Sequence, residues 1–101
     1  MKERDQKLKV KVRYFTFLRE LIGRREEEYE FEKEPTVKEL IKFITEKYGK
    51  EAKDYLFEKD GRLKEILSFL VNGKSITSLN GPQTKLKDGD ILAIIPPVGG
   101  G

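Results

Sequence analysis

Residues 91–101 read ILAIIPPVGGG, and this stretch decides how the whole chain is interpreted. Its first part, Ile91–Ile95, is continuously apolar, which is typical of a central strand covered on both faces. The strand runs without a spacer into two prolines and three glycines. Glycine-rich ends are common because chain termini tolerate change, yet they seldom begin flush against a core strand. We therefore expect a folded body that ends in a thin tail.

Two strands and a short helix are predicted near the other end of the chain. Residues Leu8–Tyr14 alternate between apolar and basic side chains, which predicts a half-buried strand. Residues 27–32 alternate between aromatic and acidic side chains and predict a second strand. Its outward glutamates would pair with the outward bases of the first strand, at about 0.2–1 kcal/mol per pair. The helical spacing within Phe15–Ile22 predicts a short helix, with Gly23 placed to cap it.

The main helix has a clear predicted beginning and end. Thr36 and Glu39 have the spacing of a capping box, in which each side chain accepts a hydrogen bond from the backbone of the other residue. Gly49 is expected to end the helix. The stripe that would face the core consists of Val37, Leu40, Ile41, Ile44 and Tyr48.

The second half of the chain contains a hairpin and one stretch that is hard to interpret. Residues 50–66 are compatible with a short helix followed by a turn at Asp60-Gly61. Residues 67–71 then predict a strand, Asn72-Gly73 a tight turn, and residues 74–76 a short returning strand.

The order of these elements favours an α+β fold of the β-grasp, ubiquitin-like type. In this fold a mixed sheet has one main helix packed across it, and the first and last strands are neighbours at its centre. We expect residues 1–7 to be a disordered N-terminal extension, residues 8–95 to be the β-grasp domain, and residues 96–101 to be a flexible glycine tail.

Composition excludes several classes of function. A chain of 101 residues forms one small domain with a modest core. Cysteine and histidine are both absent, which rules out a thiol nucleophile, a disulfide and a Cys/His zinc site. Acid–base catalysis would depend on Asp, Glu, Lys or Tyr. With no signal peptide or long apolar run, we expect a cytoplasmic protein with no membrane partner.

The charged residues point to no site of their own. The 21 basic and 18 acidic residues nearly cancel, and the basic stripe of the first strand faces the acidic stripe of the second. Nucleic-acid binding needs uncompensated positive charge, so we expect no nucleic-acid partner. Asp88 and Asp90 flank a glycine, which is ordinary turn chemistry. No phosphate loop, nucleophile elbow or metal-ligand spacing is present, and we expect the chain to bind no cofactor.

The remaining reactive group is the backbone carboxylate of Gly101. A carboxylate is a poor electrophile at neutral pH, and ATP can activate it by forming an acyl-adenylate. Sulfur or an amine could then attack the activated carbon. A tail of glycines can enter a narrow channel of another enzyme because it carries no Cβ atoms.

Over residues 8–101 the chain resembles the small subunits of molybdopterin synthase, which are ubiquitin-like sulfur carriers. The most specific match is the ending Pro-Pro-Val-x-Gly-Gly, in which Gly99 takes the variable position and Gly100-Gly101 the required pair. Other matching segments are Tyr14-Phe15, Leu18–Leu21, Pro35–Val37, Val71–Gly73 and Asp88–Asp90. The N-terminal extension and residues 50–66 are longer than in a minimal family member.

The resemblance implies a non-catalytic carrier subunit that depends on partner enzymes. An E1-like enzyme would adenylate Gly101 with ATP, and a persulfide donor would convert it to a thiocarboxylate. The tail would then enter the large subunit of molybdopterin synthase, in a heterotetramer, and give sulfur to the pterin precursor of the molybdenum or tungsten cofactor. Gly100 and Gly101 would be the reacting residues. The partner-binding residues would be Phe15, Ile95, Pro96, Pro97, Val98 and Gly99.

Three alternatives stay open at this point. Related carriers deliver sulfur to thiamine or tRNA, or become attached to lysines as archaeal protein modifiers. The chain could also be a β-grasp interaction module whose tail has no chemical role. For Phe15 and Ile95, plain core packing is an equally good interpretation.

Overall fold

A five-stranded sheet with helices across one face forms the fold of residues 7–97, the part of the chain that this computed structural model describes. The predicted extension 1–7 lies outside the described residues except for Lys7. Along the chain the elements are β1 (Leu8–Tyr14), α1 (Thr16–Ile22), β2 (Glu26–Phe31), α2 (Val37–Tyr48), α3 (Lys50–Leu56), β3 (Ser68–Val71), β4 (Lys74–Ser75) and β5 (Ile91–Ile95).

The first and last strands pair in parallel at the centre of the sheet. The strand order is β2-β1-β5-β3-β4, and Val12 is opposite Leu92 while Tyr14 is opposite Ile94. All other strand pairs are antiparallel. This arrangement confirms the predicted β-grasp topology.

The helix α2 covers one face of the sheet and begins at the predicted capping box. The Glu39 backbone N–H donates to Thr36 Oγ1 at 3.0 Å, and the Thr36 N–H donates to Glu39 Oε1 at 2.9 Å. The predicted stripe is buried from Val37 to Ile44, whereas Tyr48 is only partly buried. Within residues 7–97, no helix has the length and hydropathy needed to cross a bilayer.

Residues 50–66 extend the core, a role that their sequence did not reveal. Helix α3 buries Ala52 and Leu56, and a bridge between Phe57 and Leu63 closes the turn that follows. The predicted returning strand 74–76 is one residue too long, because Ile76 begins a 3₁₀ turn with its side chain buried.

The turn before β5 aligns three strands. Asp88 Oδ1 accepts the backbone N–H of Lys9 at 2.8 Å, and Asp90 Oδ2 accepts that of Lys87 at 2.8 Å. The Asn72 amide oxygen accepts the Ile91 N–H at 2.9 Å, which ties the β3–β4 turn to the start of β5. Both aspartates are therefore used in the turn, as the sequence indicated.

The expectation that β5 is covered on both faces is wrong. Leu92 and Ile94 are buried under α2, but Ile91, Ala93 and Ile95 are only partly buried. The helices pack against one face alone, and within residues 7–97 nothing covers the other. The apolar residues on that second face are consequently available for contact.

A buried carboxylate joins β1, β2 and α2. Glu27 is 8% exposed, and its Oε1 accepts hydrogen bonds from the Tyr14 and Tyr29 hydroxyls, both at 2.7 Å. Its Oε2 accepts from the Tyr48 hydroxyl at 2.6 Å and from Lys47 Nζ at 3.0 Å. Four donors thus satisfy a charge that would be costly to bury without partners.

The same contacts set the ionisation of this carboxyl group. Burial by itself raises the pKa of Glu27, but the hydrogen bonds from Tyr48, Tyr29, Tyr14 and Lys47 together outweigh it and lower the pKa to about 2. Burial raises the pKa of Tyr14 and of Tyr29, so both hydroxyls remain protonated donors. Glu27 is therefore ionised in the folded protein throughout the neutral and mildly acidic range.

We expect acid to destabilise the fold through Glu27. Its pKa is lower in the folded chain than the ordinary value of 4.5, so its stabilisation is complete above that pH and is lost as the pH falls toward about 2. The shift corresponds to a contribution on the order of 3 kcal/mol. Urea unfolding measured at about pH 6 and about pH 3 should show this loss in the native chain, and a smaller loss in Glu27→Gln.

The exposed neighbour Glu28 provides the matched control. Glu28→Gln should keep the pH dependence of the native chain, because the Glu28 side chain is exposed on the same strand and lies outside the hydrogen-bonded cluster around Glu27. Equal pH profiles for Glu27→Gln and Glu28→Gln would contradict the assignment.

Candidate functional site

The open face of the sheet is divided into an acidic, a basic and an apolar band. Side chains alternate between the two faces along each strand, and the register aligns those of neighbouring strands. Every second side chain of each strand therefore lies on this face. The acidic band comes from β2 (Glu26, Glu28, Glu30), the basic band from β1 (Lys9, Lys11, Arg13), and the apolar band from β3 and β5 (Leu70, Ile91, Ala93, Ile95).

The acidic and basic bands compensate each other, as predicted. Glu26 lies 3.4 Å from Lys11 Nζ and 3.4 Å from Arg13 Nε. These side chains are 40–49% exposed, so each pair contributes no more than about 1 kcal/mol. The two bands therefore form a solvated surface, and the apolar band is the part of the face that would gain most from being covered.

Phe15 and Ile95 come together at one end of the apolar band. Phe15 follows β1 in an extended conformation (φ −131°, ψ 150°), so its side chain continues the alternation onto the open face. Since Tyr14 is opposite Ile94, the same register places Phe15 level with Ile95. Both residues are partly buried and neither belongs to the buried core, so core packing does not describe them.

The chain leaves the sheet at this same end. Pro96 is partly buried and Pro97 is exposed. The predicted site residues Val98, Gly99, Gly100 and Gly101 lie outside the described residues. Within residues 7–97 no three acidic side chains converge in a way that could hold a metal ion.

Sequence reasoning missed two residues, one on the buried face of the sheet and one on the open face. Glu27 has the same strand parity as the buried Tyr29, so an acidic residue at an inward position was the available signal. Leu70 has the opposite parity to the buried Phe69 and Val71, which indicated an apolar residue on the open side of β3. Both signals lie in the period-two pattern of the strands.

Comparison with known families identifies the chain. The sequence profile of the ThiS family matches residues 12–101, from β1 through the tail. The chain belongs to the ThiS family. This assignment confirms the resemblance to ubiquitin-like sulfur carriers that the tail and the fold motifs indicated.

Several solved structures share the fold. Small archaeal modifier protein 1 from Methanosarcina acetivorans has 35% identity and a TM-score of 0.79, with 95% of this chain and 99% of that chain covered. A protein described as molybdopterin converting factor subunit 1 from Pyrococcus furiosus has 31% identity, a TM-score of 0.68, and coverage of 90% and 99%.

A third similar structure is that of a complex between two proteins. It is the BexX/CysO complex of Amycolatopsis orientalis, with 29% identity, a TM-score of 0.74, and coverage of 91% of this chain and 99% of that chain. Among curated proteins, none matches this sequence significantly. The similar structures thus include a modifier, a converting-factor subunit and a member of a complex, all with the β-grasp fold.

Neighbouring positions of β5 test which face is open. Ile94 is 1% exposed, so Ile94→Ala should lower the free energy of unfolding by about 2–5 kcal/mol, as expected when a cavity forms in a core. Ile95→Ala removes the same atoms from the partly buried face and should cost less than about 1.5 kcal/mol, because less apolar area returns to water. Urea unfolding of both variants measures the difference, and equal losses would show that both faces are covered.

Proposed function

We propose that this chain is a sulfur carrier that acts as the small subunit of molybdopterin synthase. The observation that carries the proposal is the ending Pro-Pro-Val-x-Gly-Gly at residues 96–101 of a ThiS-family chain. The 31% identity to a protein described as molybdopterin converting factor subunit 1, over 90% of this chain, supports the same branch.

The arrangement of the open face suits a carrier that is handled by other enzymes. The apolar band, with Phe15 and Ile95 at its end, lies beside the point where the tail begins. A partner that covers this band would bury apolar surface and, by the same contact, direct the tail into its own active site. Pro96 and Pro97 would keep the tail extended as it leaves the sheet.

The proposed chemistry takes place on the backbone of Gly101. ATP bound by an E1-like partner would convert the carboxylate to an acyl-adenylate with release of pyrophosphate. A persulfide donor would then displace AMP and form an acyl disulfide. Attack of a second thiol of the partner on the outer sulfur would release the thiocarboxylate and leave a disulfide on the partner. In the large subunit of a heterotetramer, the thiocarboxylate sulfur would attack the pterin precursor. The carrier itself would bind no cofactor and would work in the cytoplasm.

Attachment to other proteins is the second candidate function. The 35% identity to small archaeal modifier protein 1, with a TM-score of 0.79, favours it. The activation step would be the same, but a lysine amine would replace sulfur as the nucleophile and form an isopeptide bond. Both functions require the same tail. They differ in the nucleophile, sulfur or a lysine amine, that attacks the activated carbon of Gly101.

Deleting Gly101 should separate folding from function. The deletion leaves residues 7–97 intact, so the melting temperature should stay within about 2 °C of the native value, while sulfur transfer falls below detection because the activated carbon is misplaced. Pterin sulfuration measured with the purified large and activating subunits tests this. Leu79→Ala, at an exposed residue outside the tail and the apolar band, is the control and should keep activity.

Intact mass of the protein purified from its native cells should distinguish the two fates. Replacement of one oxygen by sulfur indicates a thiocarboxylate carrier. Isopeptide remnants of this tail on lysines of other proteins indicate a modifier. Normal pterin sulfuration by the Gly101 deletion would contradict the carrier function.

Charge placed in the apolar band should weaken docking of the large subunit. Ile95→Lys is expected to fold, because Ile95 is partly exposed, but to raise the Kd at least tenfold, or about 1.4 kcal/mol. Leu79→Lys, at a residue that is 40% exposed outside the band, should bind normally. Titration calorimetry measures both, and equal affinities would place the docking surface elsewhere.

A further inference from the structure

The strand β2 has a free edge. It is the terminal strand of the sheet, and within residues 7–97 it pairs only with β1. The Tyr14 N–H donates to the Arg25 carbonyl at 2.9 Å, which identifies Tyr14 and Arg25 as a hydrogen-bonded pair. Because antiparallel pairs alternate, the N–H and C=O groups of Glu26, Glu28 and Glu30 point away from β1. These groups could bind an additional strand.

One side of α2 forms a wall beside this edge. Glu39, Phe43 and Lys47 are four residues apart and so lie on one side of the helix. Phe43 is 47% exposed, and its ring centroid lies 5.7 Å from those of both Tyr29 and Phe31. A groove of about 670 Å³ lies at the Phe31 end of this edge, and it is lined by Glu39 and Phe43 of α2, by residues 31–35 and by Lys85. The free backbone groups are thus next to an exposed aromatic surface.

The two faces of β2 determine the chemistry of a strand that could bind there. Side chains of the added strand that point toward α2 would meet Phe31 and Phe43, so they should be apolar. Those on the opposite side would meet the acidic band, in which the ion pairs to β1 involve Glu26 and the exposed Glu28 and Glu30 take part in no ion pair within residues 7–97, so they should be basic. The strand β1 has this alternation and already pairs with the inner edge of β2, where Lys11 is opposite Glu28 and Val10 is opposite Tyr29.

A second copy of this chain does not suit the edge. Two β2 strands paired with each other would bring glutamates of the acidic band opposite one another, and like charges directly opposed destabilise a strand pair. Charged side chains are a common means of preventing such edge-to-edge association. The occupant that fits is therefore a basic segment of a different protein.

We propose that the free edge of β2 and the adjoining side of α2 form a docking groove for an extended segment of a partner protein in which basic and apolar residues alternate. Backbone hydrogen bonds would supply affinity, and the acidic band and Phe43 would supply selectivity. The strand β1 separates this groove from β5. A protein bound at the groove therefore does not occupy the apolar band beside the tail, and the inference is independent of the proposed function.

A peptide with the sequence of residues 8–14 is a suitable probe, because that sequence already pairs with β2. Titrated as a capped peptide into the full-length, ¹⁵N-labelled chain, it should bind saturably and slow the hydrogen exchange of the Glu26, Glu28 and Glu30 amides. The same peptide with glutamate at its three basic positions should bind at least tenfold more weakly. A peptide N-methylated at alternate residues keeps the charge but loses the backbone donors, and it should also bind at least tenfold more weakly.

Matched variants test the two components of the groove. Phe43→Ala and Glu28→Lys should each weaken peptide binding at least fivefold, while Phe17→Ala and Glu65→Lys, at exposed positions elsewhere, should change it less than twofold. Thermal unfolding establishes that each variant is folded. Equal binding of the N-methylated peptide, protection of other amides, or a β2-dependent dimer in sedimentation experiments would overturn the proposal.

Discussion

The parallel pairing of β1 with β5 is the contact on which the rest of the structure depends. It joins Lys11 to Ile91, residues that are far apart in the chain, and places the first and last strands side by side at the centre of the sheet. The cost of closing so long a loop is offset by the buried core between this pair and α2. The same pairing brings Phe15 level with Ile95, so one contact organises both the core and the candidate docking face.

The buried Glu27 carboxylate complements this pairing by holding β2 and α2 in place. Hydrophobic contacts are not directional, whereas the four donors around Glu27 are satisfied in one relative arrangement of β1, β2 and α2. Removing any donor would leave part of a buried charge unpaired, which is far more costly than losing an ordinary surface contact. The acidic band of β2 and the adjoining side of α2 are consequently held in a fixed relative position.

The two faces of the sheet differ, and this asymmetry is what the proposed function uses. One face is used entirely for the core, and the other leaves an apolar band exposed beside the start of the tail. Under the proposed function the body would present its tail, and the catalytic side chains would belong to partners. The groove at β2 adds a second surface on a different part of the sheet, so recognition need not compete with the tail.

The sequence by itself determined the features that depend on neighbouring residues. The alternation of Leu8–Tyr14, the Thr36–Glu39 capping box and the tail motif are local patterns. The order of the predicted elements indicated a β-grasp sheet with the first and last strands side by side. Only the tertiary structure decided that Ile91 and Ile95 face outward and that Glu27 is buried among three tyrosines. The sequence of a continuously apolar strand does not show whether one or both of its faces are covered, because the covering elements are distant in the chain. For the same reason, only the tertiary structure shows that residues 50–66 contribute side chains to the core.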